Sequence, residues 1–214
     1  MVHMEKRKRE ILALGLLVLL AVSVAGAMAW YIMVGHNWNK AASHIDDLVG
    51  SMEGYTVIVY EGTLPVSKSS TAKAKHVSMT KAIASYKEKG ASVITLHPDE
   101  LGRYEDSIVV SKGGERVGIC ACPGKYRYVT VRDKVKELKR AGAGMVIVLA
   151  DKPDIKKGWL RDIDVVVLSC DGKIPGGGQF IGSAFFVDAA HVGEVQAVIV
   201  APSGTITAKT ITSL

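Results

Sequence analysis

The stretch VVVLSCDGK, residues 165–173, decides the fold class. Its first four residues form an apolar run that stops at the small, polar Ser169 and Cys170. An unbroken apolar run of this length is typical of a strand that is buried on both faces, as in a parallel sheet covered by helices. Such a strand delivers side chains to a site at the edge of the sheet where it ends. The stretch therefore predicts an α/β domain with a site, or the remains of one, after Leu168.

The segment that opens the domain predicts a βαβ unit. A β-branched and aromatic strand spans residues 55–60, a helix spans 71–89 and stops at Gly90, and a second strand spans 91–96. Two strands joined by a helix in this way are predicted to lie parallel.

The rest of the domain first continues the alternation of strands and helices and then consists of strands alone. A hairpin is predicted around Gly113-Gly114, followed by helix 131–141, strand 145–149, a short helix near 154–160 and strand 164–168. The tail predicts antiparallel strands joined by short turns, at residues 180–187, 194–200 and 205–212. The predicted fold class is α/β, a mixed-sheet sandwich with a parallel βαβ portion followed by antiparallel C-terminal strands.

A basic tail and a long uncharged segment precede the domain. Residues 1–10 carry four clustered cations, and residues 11–34 carry no charge and cover about 36 Å as a helix, enough to cross a membrane. The positive-inside bias predicts a cytoplasmic tail at 1–10, a transmembrane signal anchor at 11–34 and an extracytoplasmic remainder. Signal-peptide cleavage after Ala29 is the alternative. The apolar run continues through Trp30 and Tyr31, which favours an uncleaved anchor.

The remaining chain is predicted to form a juxtamembrane spacer at 35–54 and an extracytoplasmic domain at 55–214. Its composition excludes some classes of partner and site. The net charge is +6, but the lysines are spread out and show no basic-aromatic interleaving, so nucleic acid is not predicted as a partner. The three cysteines, Cys120, Cys122 and Cys170, allow one disulfide and one thiol, or three reduced thiols. Zinc-ligand spacing is absent, so buried structural thiols are the favoured interpretation.

Three segments of the C-terminal half carry a resemblance to a known family. They read VRDKVKELKRAGAGMVIVLADK from residue 131, DIDVVVLSCDGK from residue 162, and FIGSAFFVDAAHVGEVQAVIVAPSGTI from residue 180. Over residues 116–214 their order and spacing resemble the calcineurin-like metallophosphoesterases, especially the secreted nucleotidase branch; the resemblance over 55–115 is weaker. It implies a sandwich in which two metal ions, held by His and Asp at strand ends, activate a hydroxide.

The sequence departs from the family at the positions that matter for metal binding. Ala150-Asp151 stands where the family has a histidine, and CDGK at 170–173 stands where it has Gly-His-x-His. The first strand ends in Glu61-Gly62-Thr63 in place of Asp-x-His. The resemblance therefore implies a degenerate, shortened member that lacks the metal ligands.

These departures define the candidate site residues, none of them predicted to be catalytic. The vestigial binding site would be lined by Glu61, Asp151, Cys170, Asp171 and Lys173. The Lys173 ammonium would repel a divalent cation and attract an anion. An alternative is a rebuilt site in which the carboxylates of Glu61, Asp151 and Asp171 hold a cation such as Mg²⁺ or Ca²⁺.

The function predicted from the sequence is that of a non-catalytic binding or accessory protein of the cell envelope, without a cofactor. Its partner would be an envelope protein or an anionic ligand, with the membrane bound through residues 11–34. Two alternatives stay open: an active phosphoesterase with the rebuilt carboxylate site, and a structural anchor for a membrane complex. His97, His191 and the glycines at 176–178 are interpreted as loop and turn residues.

We expect the full-length chain to stay with the membrane. After expression in a bacterial host, alkaline carbonate should leave it in the membrane pellet, because an uncharged segment of this length is inserted in the bilayer. Intact mass should correspond to the whole chain. A mature protein beginning at Trp30 would instead show that the segment is a cleaved signal peptide.

Overall fold

The computed structural model describes residues 14–28, 50–65, 77–124, 128–151, 157–170 and 174–211. The chain divides into two compact units, Met1–Ala42 and Ser43–Leu214.

In the first unit, residues 14–28 are helical and their apolar side chains are exposed. Within the described residues, no helix combines the length and the apolar character needed to cross a membrane. The rest of the predicted span 11–34 lies outside the described residues, as do residues 35–49 of the predicted spacer. The transmembrane anchor therefore stays a prediction.

The second unit contains two helices and ten strands among its described residues. The helices are α1 (Met79–Glu88) and α2 (Tyr128–Arg140). The strands are β1 (Thr56–Glu61), β2 (Ser92–Leu96), β3 (Ile108–Lys112), β4 (Glu115–Cys122), β5 (Met145–Ala150), β6 (Val165–Leu168), β7 (Gln179–Ile181), β8 (Ala184–Asp188), β9 (Val195–Val200) and β10 (Ile206–Ile211). Two 3-10 helices, Leu101–Tyr104 and Lys157–Asp162, lie between them, the second close to the short helix predicted near 154–160.

The smaller sheet has four strands in the order β10-β9-β1-β2. Strands β1 and β2 are parallel, which confirms the βαβ prediction. Helix α1 begins at Met79 because the Ser78 side chain accepts a hydrogen bond from the backbone N–H of Lys81, at 3.4 Å. Most of the earlier part of the predicted helix, residues 71–76, lies outside the described residues. Strands β9 and β10 form the predicted antiparallel hairpin, and β9 also pairs with β1.

The larger sheet has six strands in the order β3-β4-β5-β6-β8-β7. Strands β3 and β4 form the predicted hairpin, and Gly113 and Gly114 turn the chain with φ of 58° and 85°. Positive φ at both central residues is what a type I′ turn requires, and glycine adopts it without strain. Helix α2 then connects the parallel strands β4 and β5, and β6 continues the parallel pairing.

One prediction for the tail is wrong. Residues 180–187 were expected to form a single antiparallel strand, but they form the hairpin β7–β8, and β8 lies parallel to β6 with Phe185 opposite Val165. The cause is burial on both sides: Phe185 packs into the space between the sheets, while Phe186 packs on the opposite face. Only an inner position in the six-stranded sheet covers both rings.

Successive side chains of a strand point to opposite faces of its sheet, and this alternation produces three apolar layers. Ile58 of β1 and Leu149 of β5 pack between the two sheets. Val148 packs against α2 on the outer face of the six-stranded sheet, and Val57 packs against α1 on the outer face of the four-stranded sheet. The described part of this unit is thus a four-layer α/β/β/α sandwich, and the predicted mixed-sheet α/β sandwich is confirmed.

The three cysteines all lie in the described residues, and no disulfide joins them. Cys120 and Cys122 point into the layer beneath α2. Burial raises the pKa of Cys120 to about 12 and that of Cys122 to about 11, against a smaller, opposing effect of the Lys134 ammonium. These thiols are therefore protonated packing groups at neutral pH.

We expect the free energy of unfolding to fall as pH rises above about 8.5. The unfolded thiols ionise near pH ~8.5, whereas the folded ones keep their protons, so each pH step favours the unfolded chain. Between pH ~8.5 and ~9.5 the loss should total about 1–2 kcal/mol. Urea unfolding under reducing conditions measures it. A Cys120→Ala/Cys122→Ala variant should flatten the pH dependence; an unchanged slope in this double variant would contradict the assignment.

Candidate functional site

The C-terminal ends of the parallel strands define one side of the sandwich, here called the strand-end edge. It consists of the residues that follow β1, β2, β4, β5, β6 and β8, together with the start of β9 and the end of β10. Side chains from both sheets meet there because Thr63, after β1, donates a hydrogen bond to the carbonyl oxygen of Ser169, after β6, at 3.3 Å. Open α/β sheets bind ligands at such an edge.

Close packing of two loops holds the strand-end edge together. The backbone N–H of Leu64 donates to the carbonyl of Ala190 at 3.0 Å, and the N–H of Val192 donates to the carbonyl of Leu64 at 2.8 Å. A side chain at Gly62 would place its Cβ 2.1 Å from the carbonyl oxygen of His191. Only glycine allows this approach, so the loop after β1 is locked against the loop after β8.

The hydroxyl groups at the centre of the edge are used to join its strands. The Ser169 hydroxyl and backbone N–H both donate to the carbonyl of Ala150, at 3.3 and 2.8 Å. The Thr63 hydroxyl donates to Ser169, as described above. These two side chains therefore connect β1, β5 and β6 and are already engaged with the backbone.

Three of the predicted site residues, Glu61, Asp151 and Cys170, lie in the described part of the chain. Glu61 is exposed, and strand alternation places it on the same face as Val57 and Val59, away from the space between the sheets. Asp151 is half-buried and lies close enough to Cys122 that its charge contributes to the raised pKa of that thiol. Cys170 is half-buried after β6.

Asp171 and Lys173 lie outside the described residues, so their predicted roles stay predictions. Among the residues that are described, no three His, Cys, Asp or Glu side chains come close enough together to hold a metal ion. The Oδ1 atom of Asp151 is nevertheless buried, and no described residue donates a hydrogen bond to it.

A cavity of about 360 Å³ opens beside these residues, between β8 and the β9–β10 hairpin. We call it the edge cavity. Its apolar wall includes Leu64, Pro65 and Ile174, and its polar groups include Asp188 and Gln196. Asp188 is 9% exposed and Gln196 is 2% exposed, so both are buried polar side chains. Cavities of this size with a few converging polar groups are the usual form of a small-ligand site.

Sequence reasoning missed these polar residues, although one signal was present. Gln196 interrupts the apolar strand VQAVIV at a position that alternation directs between the sheets. A polar residue at an inward position of a buried strand needs hydrogen-bond partners and so marks an unusual environment. Asp188 is the last residue of β8, which was expected to belong to an antiparallel tail, so its position at the strand-end edge was not predicted.

Tyr60 adds a further buried polar group near the edge cavity. It lies directly opposite Gln196 in the pairing of β1 with β9. Its hydroxyl is fully buried and has no hydrogen-bond partner among the described residues. Burial, with a smaller contribution from the Asp188 charge, raises the pKa of Tyr60 above its ordinary value, so the hydroxyl stays neutral.

A second cavity, of about 510 Å³, lies at the opposite edge, where the parallel strands begin. Its lining includes two acidic side chains, those of Glu115 and Asp164, and the basic side chain of Arg116. Glu115 accepts a 2.5 Å hydrogen bond from Thr56, and Asp164 accepts one of 2.7 Å from the backbone N–H of Val146. The two carboxylates are thus engaged in holding β1 and β5, which is a structural role.

No protein-family profile matches the sequence, and a search of curated proteins gives no significant match. Solved structures give partial likenesses. The sulfate thiohydrolase SoxB of Thermus thermophilus is 11% identical, with a TM-score of 0.43, over 50% of this chain and 24% of that one. A 5'-nucleotidase precursor, also from Thermus thermophilus, is 18% identical, with a TM-score of 0.36, over 61% and 35%. The NAD nucleotidase NadN of Haemophilus influenzae is 17% identical, with a TM-score of 0.34, over 48% and 29%.

The chain thus spans about a third or less of the length of these three structures. Likenesses of this strength do not establish a family. The class of protein rests on the two mixed sheets and their α layers: a four-layer α/β/β/α sandwich with its polar residues at the strand-end edge.

We expect Gly62→Ala to destabilise the domain strongly. The added methyl group would collide with the backbone of residues 190–191, and overpacking of this kind costs about 1–3 kcal/mol. Urea unfolding measures the loss. Gly102→Ala is the matched control, since a Cβ there meets no atom within 4 Å, and its stability should change by less than about 0.5 kcal/mol. Equal stability of the two variants would show that the loop after β1 is not locked as described.

Proposed function

We propose that this chain is a non-catalytic, metallophosphoesterase-like binding protein of the cell envelope. In this proposal residues 11–34 anchor it in the membrane with the N-terminus in the cytoplasm, and residues 55–214 form an extracytoplasmic domain that binds a partner protein or a small ligand. The observation that supports a binding role concerns the hydrogen bonds of the polar side chains at the strand-end edge. The Thr63 and Ser169 hydroxyls stabilise the edge itself, and among the described residues no three His, Cys, Asp or Glu side chains converge to hold a metal ion.

Metal-dependent phosphoester hydrolysis requires a different arrangement. Two ions must be held a few ångströms apart by converging His, Asp or Glu side chains, so that they generate a hydroxide and clamp the phosphate. At this edge the Thr63 and Ser169 hydroxyls are engaged with backbone carbonyls, and the Cys122 thiol is buried and protonated. Glu61 lies on the opposite face of its strand from the space between the sheets. These features favour binding over hydrolysis.

A phosphoesterase with a rebuilt carboxylate site is the second candidate, and one observation favours it. The buried Oδ1 atom of Asp151 lacks a hydrogen-bond donor among the described residues. A buried carboxylate oxygen is costly without a donor or a cation. If Asp171 supplied further oxygen ligands, a single Mg²⁺ or Ca²⁺ would satisfy this atom.

We expect divalent cations to leave the full-length protein unchanged. In mild detergent, its thermal midpoint, followed by circular dichroism, should be the same in EDTA and in Mg²⁺, Mn²⁺, Ca²⁺ or Zn²⁺, because an ion raises the midpoint only if the native state binds it. Hydrolysis of bis(p-nitrophenyl) phosphate, measured on the same samples, should equal the buffer blank.

Asp151→Asn is the variant that separates the two candidates. It keeps the size of the side chain and removes the charge that a cation needs. A midpoint that rises with one ion in the wild type and not in this variant, together with turnover that the variant loses, would overturn the binding proposal and establish the hydrolase. If neither protein responds, Asp151 is a structural residue.

A further inference from the structure

The second cavity, of about 510 Å³, lies where the parallel strands begin and is here called the strand-start cavity. Its lining comes from the β3–β4 turn and the start of β4, from the loop between α2 and β5, and from the β9–β10 hairpin, with Asp164 before β6. All of these segments lie inside the described ranges, with described residues on either side. Their charges and apolar side chains therefore define which ligand would fit.

Arg116 supplies the positive charge of the strand-start cavity. It is the second residue of β4, its side chain is exposed, and the described lining contains no other arginine or lysine. Its Nη1 atom lies against the backbone of Gly142, where an added Cβ would stand 3.0 Å from it. Gly142 follows the end of α2, and the C-terminal end of a helix favours a nearby cation. The guanidinium is thus held at the rim of the cavity by the space that this glycine leaves.

The carboxylates of the described lining do not neutralise Arg116. Asp164 forms its ion pair with Lys139, at 3.4 Å, and accepts from the backbone N–H of Val146. Glu115 precedes Arg116 in β4 and so points to the opposite face of the sheet, where its Oε2 atom accepts from Thr56. No ion pair or side-chain hydrogen bond joins Arg116 to a described residue. Its N–H donors are therefore available to a ligand.

The inner side of the strand-start cavity is acidic and apolar. Besides its bond to Thr56, the exposed carboxylate of Glu115 has a second oxygen that is able to accept from a ligand. Beside it, Met145, Val200 and Ile206 form an apolar wall, and each is half-buried at the margin of the layer between the sheets. The cavity thus combines a cation, an anion and an aliphatic surface.

This combination restricts the charge of the ligand. A ligand that is only anionic would be attracted by Arg116 and repelled by Glu115, and a ligand that is only cationic would experience the reverse. A zwitterion has a favourable contact with both side chains. The planar guanidinium suits a carboxylate, which it binds with two parallel N–H bonds, and an ammonium group suits the remaining acceptor of Glu115.

We propose that the strand-start cavity binds the zwitterion of an α-amino acid with an aliphatic side chain. The α-carboxylate accepts from the Arg116 guanidinium, and the α-ammonium donates to Glu115. The aliphatic side chain packs on Met145, Val200 and Ile206. This inference rests on the proposed function, because it names a ligand class for the binding domain.

Titration calorimetry on the full-length protein in mild detergent and EDTA tests the proposal. The probes are L-leucine, 4-methylpentanoate, which is leucine without its ammonium group, and 3-methylbutylamine, which is leucine without its carboxylate. Leucine should bind about ten-fold more tightly than either analogue, because each analogue loses one charged hydrogen-bonded contact and keeps one repulsion. If either analogue binds as tightly as leucine, or if leucine gives no binding heat, the proposal is wrong.

Variants locate the site. Arg116→Gln should weaken leucine binding about ten-fold and Glu115→Gln about two- to five-fold, since each loses a charge-assisted hydrogen bond. Arg103→Gln is the matched control: Arg103 is exposed, lies outside the described lining of the cavity, and should leave the affinity unchanged. The same affinity in Arg116→Gln and Arg103→Gln would overturn the proposal.

The comparison of leucine with its two analogues uses the wild type, so it holds even if a variant does not fold. The result is also separable from the proposed function. Absence of leucine binding together with absence of metal-dependent phosphodiester turnover would refute this inference alone. Metal-dependent turnover would refute the proposed function and leave the leucine result readable.

Discussion

Burial of both faces of both sheets is the constraint on which the rest of this structure depends. Each inner strand must present apolar side chains in two directions, one into the space between the sheets and one toward a helix layer. Phe185 and Phe186, adjacent in β8, point into two different layers for this reason. Because apolar side chains fill all three layers, most polar side chains are left for the ends of the strands.

At the strand-end edge, polar side chains stabilise the fold by hydrogen bonding between strands. Thr63 and Ser169 connect strands from two sheets, and Gly62 lets the loop after β1 approach the loop after β8 closely. A two-metal hydrolase would hold its ligands at the same edge but aimed at a common point. The Thr63 and Ser169 hydroxyls bond to neighbouring carbonyls instead, which ties the position of the edge to the folding of the domain.

The edge cavity lies beside this centre. Its two buried polar side chains, Asp188 and Gln196, form hydrogen bonds with the backbone of residues 174 and 176, so the segment after residue 173 is tied to both sheets.

Local patterns determined much of the fold. The apolar run at 165–168, the Gly113-Gly114 turn and the βαβ order of the first strands each specify their own geometry through burial, backbone freedom or periodicity, and each is found in the structure. The tertiary structure decided where the tail strands lie, because pairing of β8 with β6 depends on which faces are covered. It alone placed Glu61 on the outer face of the four-stranded sheet and brought Asp188 and Gln196, which belong to different sheets, to one cavity. Asp188 and Gln196 are close in the chain but lie on strands of different sheets, so they line one cavity only because the two sheets pack together.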